Sequence, residues 1–218
     1  MAEMITITAD DGFVFSAYKA KPEMAAKGSI IILQEIFGVN DHIKDVAESY
    51  AAQGWYVLAP ALFDRSAEGV SLAYNKDGVA AGREHKTAVD SHAEGDIAAC
   101  LAYCNADGPR VVIGYCWGGS LAWRMACRHD GPDIAIAYYG GEIPALINET
   151  PRCPVQAHFG EKDASIPMDG VHRFRDAHPE VETFIYNADH GFNCDHRPQY
   201  DEAASTLARQ RVEQIITR

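Results

Sequence analysis

Short apolar runs recurring between longer helical stretches constrain this chain more than any other feature. Residues 29–33, 55–59, 111–115, 134–139, 155–159 and 183–186 each read as a strand. After its first serine, the run at 29–33 is apolar without interruption, the pattern of a strand buried on both faces. The segments 41–54, 86–104, 118–129, 169–177 and 200–216 carry helical spacing instead. Strand then helix at this interval implies an α/β chain, with a mostly parallel central sheet and helices on both faces. Ahead of that alternation, residues 5–8 and 13–19 flank Asp11-Gly12, which predicts a hairpin. Asp41 stands where helix 41–54 needs a cap. Residues 61–85, with Gly69, Gly78 and Gly82, predict an irregular surface excursion. A chain of 218 residues is expected to form one domain over 1–218.

Composition narrows the partners. A net charge of −12 is a poor match to nucleic-acid phosphates or an anionic membrane. The expected partner is a small molecule, with the protein a monomer or small homo-oligomer. No apolar run approaches the length of a membrane span. The opening residues lack a basic segment followed by an apolar one, so the expected compartment is the cytoplasm, where thiols stay reduced. Six cysteines in a chain this long are too sparse for a disulfide framework, so each needs its own explanation.

Parallel sheets gather chemistry at the carboxyl ends of their strands. At one such end lies Gly114-Tyr115-Cys116-Trp117-Gly118-Gly119, with Val111-Val112-Ile113 leading in and a helix leading out. This is a nucleophile elbow with cysteine where serine is usual. Small residues are needed at 114 and 118 because the strained strand-to-helix turn brings backbone close there. The turn also sets the sulfur at a helix N-terminus, whose dipole favours a thiolate and an oxyanion alike. Alone, the hexapeptide also fits a buried structural cysteine. The downstream residues tip the reading, because an elbow needs an acid and then a histidine later in the chain. Asp163 follows the strand at 155–159, and His190 follows the strand at 183–186. As a set, Asp163 orients His190 and His190 takes the Cys116 proton.

The strand at 29–33 runs into Gln34-Glu35-Ile36-Phe37-Gly38. Loops at this place supply one oxyanion-hole amide, so the expected donors are the backbone N–H groups of Ile36 and Trp117. Glu35 is a carboxylate leaving a buried strand, costly unless paired. It either serves the next helix as an N-terminal charge or contacts the Cys116 thiol and controls its ionisation. Trp117, Phe37, Tyr139 and Phe192 either line an aromatic pocket or pack behind it. Cys100 and Cys104 have helical spacing but no further ligands, and are expected in the core, as is His158. His190, Cys194 and His196 have metal-like spacing, but ligation would remove His190 as a base, so no metal is expected.

The motifs Gln34-Glu35-Ile36-Phe37-Gly38, Gly114-Tyr115-Cys116-Trp117-Gly118-Gly119, Tyr138-Tyr139-Gly140, Gly160-Glu161-Lys162-Asp163 and His190-Gly191-Phe192 make the sequence resemble the dienelactone hydrolase family of the α/β-hydrolase fold. The likeness spans nearly the whole chain. It implies a Cys116–His190–Asp163 triad, with Glu35 holding the resting thiol and deprotonating it when substrate binds. It implies hydrolysis of dienelactone, an unsaturated lactone with a free carboxylate, to maleylacetate, and no cofactor. Family members carry an arginine four residues after the histidine to grip that carboxylate. Here Cys194 stands at that position, and Arg197 lies three residues further on. Arg83 falls in the region of a second substrate arginine. Tyr139 is a further substrate-side candidate. The alternatives are a general carboxylesterase of the same fold and a non-enzymatic reactive-thiol protein.

Overall fold

The computed structural model describes residues 2–104 and 106–217. Among them are eight strands and five α-helices, an α/β fold whose sheet is mostly parallel. The chain divides into two compact units, one ending at Val112 and the other beginning at Ile113.

The first unit opens with β1 (Ala2–Thr8) and β2 (Val14–Ala20), antiparallel across the Asp11-Gly12 turn. β3 (Ser29–Leu33) is buried along its whole length and pairs in parallel with β4 (Tyr56–Pro60), which pairs antiparallel with β2. The uninterrupted apolar run of β3 is the cause, since no residue in it tolerates a solvated face. Each large aliphatic side chain buried in this way contributes about 1.5–3 kcal/mol. α1 (Asp41–Ala52) is capped by Asn40, not Asp41: the Asn40 side chain accepts from the Ile43 N–H at 3.2 Å. Asp41 sits in the first turn, where its charge suits the helix dipole.

The expected excursion over 61–85 is shorter and more buried than its composition suggested. Ala61, Leu62, Phe63 and Asp64 are buried, and the 28-residue α2 (Lys76–Tyr103) already begins at Lys76. Two glycines that read as loop signals are packing residues of α2. A Cβ on Gly78 would lie 2.0 Å from the Ala73 carbonyl oxygen, and one on Gly82 would lie 1.9 Å from that of Ile36. Arg65 pins the connection. Its guanidinium bonds Asp96 at 2.8 and 2.9 Å, pairs with Asp11 at 2.8 Å, and lies 4.4 Å from the centre of the Phe13 ring.

The second unit carries the ends of β5 (Arg110–Tyr115), β6 (Ile134–Tyr138), β7 (Val155–Gly160) and β8 (Glu182–Tyr186), neighbours in that order. β6, β7 and β8 pair in parallel. Between them run α3 (Trp117–Arg128) and α4 (Met168–Ala177), and α5 (Glu202–Ile216) follows β8. α3 is buried at every residue from Trp117 to Cys127, a helix enclosed on all sides.

Candidate active site

β5 is followed at once by Cys116, which has φ 57° and ψ −115°. A side chain seldom adopts that conformation, and the surrounding backbone enforces it. The Cys116 N–H donates to the Tyr138 carbonyl at 3.0 Å, and the Cys116 carbonyl accepts from Ser120 N–H at 3.2 Å, opening α3. The neighbouring glycines are steric necessities. A Cβ on Gly114 would lie 1.8 Å from the Gly118 carbonyl oxygen, and one on Gly119 would lie 2.4 Å from that of Tyr138. The sulfur therefore stands at the start of a buried helix, where unpaired N–H groups favour negative charge.

Asp163 and His190 meet because the loops after β7 and β8 are tied together. Glu161 N–H donates to the Tyr186 carbonyl at 2.8 Å, and Lys162 N–H to that of Ala188 at 3.0 Å. Gly160 makes the approach possible, since a Cβ there would lie 2.4 Å from the Ala188 oxygen. His190 Nδ1 is 2.6 Å from Asp163 Oδ2, with the Asp163 side chain 0% and the His190 side chain 18% exposed. The other Asp163 oxygen accepts from the Ser165 N–H at 2.8 Å, which fixes the carboxylate. Asp189 Oδ1 accepts from the His190 N–H at 2.6 Å. Neither helper figured among the expected residues, although Asp163-Ala164-Ser165 has the form of an Asx turn.

With Nδ1 directed at Asp163, Nε2 is left for the Cys116 sulfur. Burial disfavours a charged imidazole here, but the negative charge on Cys116 and the hydrogen bonds to Asp163 and Cys116 outweigh it. His190 is thereby pushed up to about 10. An imidazole fixed by a buried carboxylate beside a cysteine at a helix start is chemistry for attack on an acyl carbon.

The remaining expected residues fall as follows. Trp117 is buried and opens α3 directly after Cys116. Tyr139 is fully buried and packs its ring on His190 at 5.0 Å between centroids. Arg197 lies with its guanidinium against Gly191, so close that a Cβ on that glycine would be 2.6 Å from a terminal nitrogen. Cys194 is buried. His158 is a core histidine, stacked 4.6 Å from Tyr138 with Nδ1 2.8 Å from the Tyr186 hydroxyl. Glu35, Ile36 and Arg83 belong to the first unit. Glu35 is 1% exposed just beyond β3, Ile36 packs its carbonyl on Gly82, and Arg83 is exposed on α2.

The sequence profile described as "Dienelactone hydrolase family" matches residues 15–218. A protein of Synechocystis sp. assigned as a carboxymethylenebutenolidase is 34% identical, covering 92% of this chain and 90% of its own. Carboxymethylenebutenolidase 1 of Cupriavidus pinatubonensis is 28% identical, covering 99% and 97% respectively. A crystal structure from Klebsiella pneumoniae assigned as a dienelactone hydrolase superposes with a TM-score of 0.82 at 25% identity, covering 100% of this chain and 98% of that one.

Proposed function

The chain belongs to the dienelactone hydrolase family, and from that premise we propose that it is a cysteine-dependent hydrolase of activated esters or lactones. Its leading substrate is dienelactone, opened to maleylacetate through a thioester. The observation that carries this reading is the hydrogen-bonded array of Asp163 and His190 beside a cysteine held in a left-handed elbow.

Cys116, as thiolate, attacks the acyl carbon. The backbone amide of Trp117 is assigned to the resulting oxyanion; the roles of Ile36 as a second donor and of Glu35 toward the thiol are those the family resemblance implies. A thiolate is itself a good leaving group, so the tetrahedral adduct moves forward only when the expelled oxygen leaves easily. An enolate does, because it becomes a ketone. The His190 imidazolium supplies its proton, then as neutral imidazole activates water against the thioester. Asp163 keeps the imidazole in the tautomer both steps require. Arg197, seated next to the histidine loop on Gly191, offers a planar guanidinium to a substrate carboxylate. Arg83 is assigned the same task on its own element.

Two substrates test the proposal: a carboxylate-bearing unsaturated lactone and a neutral aryl ester. Cys116→Ala is expected to lower turnover of both by at least about 10³-fold. Full activity in that variant sinks the mechanism, as does an amide cleaved as fast as its matched ester. Buried Cys194 at the place of the family arginine favours a second reading, a carboxylesterase for neutral esters. That reading requires the neutral ester to be the better substrate, and Arg197→Met to leave the ratio of the two rates unchanged.

A further inference from the structure

Apart from glycines, two described residues have positive φ. One is Cys116 and the other is Tyr139, at φ 38°. An aromatic residue in that region is a backbone outlier, held there only if its surroundings over-determine it. Here they do so from three sides. The carbonyl of Tyr138 accepts from the Cys116 N–H at 3.0 Å. The Tyr139 N–H donates to the His158 carbonyl in β7 at 2.8 Å. On the far side, Gly140 is pressed against α3, so that a Cβ there would lie 2.8 Å from Gly119 C and Ser120 N. The end of β6 is thus clamped to the elbow and to the strand leading to Asp163.

What this clamp aims is the Tyr139 ring. It is fully buried, with its centroid 5.0 Å from the His190 ring, 5.5 Å from Phe192 and 6.3 Å from Tyr115. Asp163 fixes one nitrogen of the imidazole and Cys116 faces the other, but hydrogen bonds at the two nitrogens leave the ring free to turn about the line that joins them. An aromatic ring packed against the imidazole, inclined to it by 56°, removes that freedom.

We propose that Tyr139 is a positioning residue for His190, its left-handed turn aiming a buried ring at the imidazole from the strand end that also holds the Cys116 elbow. The inference rests on the hydrolase reading of Cys116, His190 and Asp163. It assigns Tyr139 to the alignment of the base instead of to contact with substrate. The ring also borders the imidazolium, and a cation beside an aromatic ring is favoured.

The experiment compares Tyr139→Leu, Tyr139→Gly and Tyr139→Phe on the neutral aryl ester, with pH profiles. The leucine and glycine variants are expected to lose about 10- to 100-fold in kcat, the scale of a small misalignment of reacting groups. Their KM should stay within about threefold, and the alkaline limb of kcat/KM should move to lower pH. Phenylalanine, which keeps the ring, should restore most of the kcat. Glycine tolerates φ 38° without strain, so it keeps the test open if leucine fails to fold. An unchanged kcat and alkaline limb in folded Tyr139→Gly overturns the proposal. A KM rise at constant kcat overturns it too, since that marks a substrate contact. Failure of the hydrolase reading shows separately, as activity that survives Cys116→Ala.

Discussion

At the scale of single residues, the proposed mechanism turns on the state of His190. Its value of about 10 lies above the usual imidazole range because the Cys116 charge and Asp163 outweigh its burial. The imidazolium is therefore present at neutral pH and is lost as pH rises through about 10. In the proposed mechanism the leaving enolate takes its proton from that imidazolium, so kcat/KM should fall on the alkaline side near the same value. Asp163→Asn removes one raising influence, so its alkaline limb should lie at lower pH, with kcat reduced about 10³-fold or more. A pH profile of the variant with the wild-type limb would contradict the assignment. Much of this array was legible in the sequence. Cys116, Asp163 and His190 each follow an apolar run, and a parallel sheet places such positions on one edge. Tyr139 was legible only as a flanking aromatic. Nothing in the letters Tyr-Tyr-Gly gives the sign of φ, which is set by the clamps on either side. The seat of Arg197 was equally hidden, because it depends on a loop turning back over a bare Cα at Gly191.

Among the elements, glycines divide into those that allow an approach and those that merely weaken a helix. Gly119 in α3 is of the first kind. A Cβ there would collide with the Tyr138 carbonyl at 2.4 Å, the same oxygen that receives the Cys116 N–H. Gly119→Ala should therefore destabilise the protein by about 2 kcal/mol or more and disturb the elbow. Gly95 in α2 is of the second kind, exposed with nothing within 4 Å of an added Cβ. Gly95→Ala should stabilise by about 0.5–1 kcal/mol with unchanged turnover. Denaturant melts and ester assays on both variants check the pair, and equal effects of the two substitutions would refute the distinction. The same contrast explains where element reading succeeds. β3 spans 29–33 as expected because a continuous apolar run has a single reading at that length. α2 starts at Lys76, ten residues ahead of the expected 86, because Gly78 and Gly82 mimic loop composition. Their reason lies in the carbonyls of Ala73 and Ile36 pressed against them, contacts that local sequence does not encode.

For the molecule as a whole, two histidines with opposite shifts act on stability in opposite senses as pH changes. His158 is buried and its value is lowered to about 3, burial first and the charge of Arg211 second. It is neutral in both folded and unfolded chains above about 6.5, so it contributes no pH dependence there. Below 6.5 the unfolded chain takes up a proton that the folded chain refuses, and stability falls steadily until about pH 3. His190 behaves in the opposite sense. Its contribution is fully present below about 6.5 and is lost as pH rises toward 10. Another influence runs against the acid limb: lowering pH reduces the net charge of −12 and with it the self-repulsion of the fold. Comparing wild type with His158→Phe cancels that influence, because both chains carry the same carboxylates. Phenylalanine also keeps an aromatic ring beside Tyr138. The loss of the bond to the Tyr186 hydroxyl lowers the variant's stability by a constant amount across this window. Between pH 6.5 and 5 the wild type should lose about 2 kcal/mol relative to His158→Phe, read from denaturant midpoints at each pH. Parallel curves would show that His158 accepts a proton in the fold, and that the stack of Tyr138, His158 and Tyr186 is not the dry environment its burial implies.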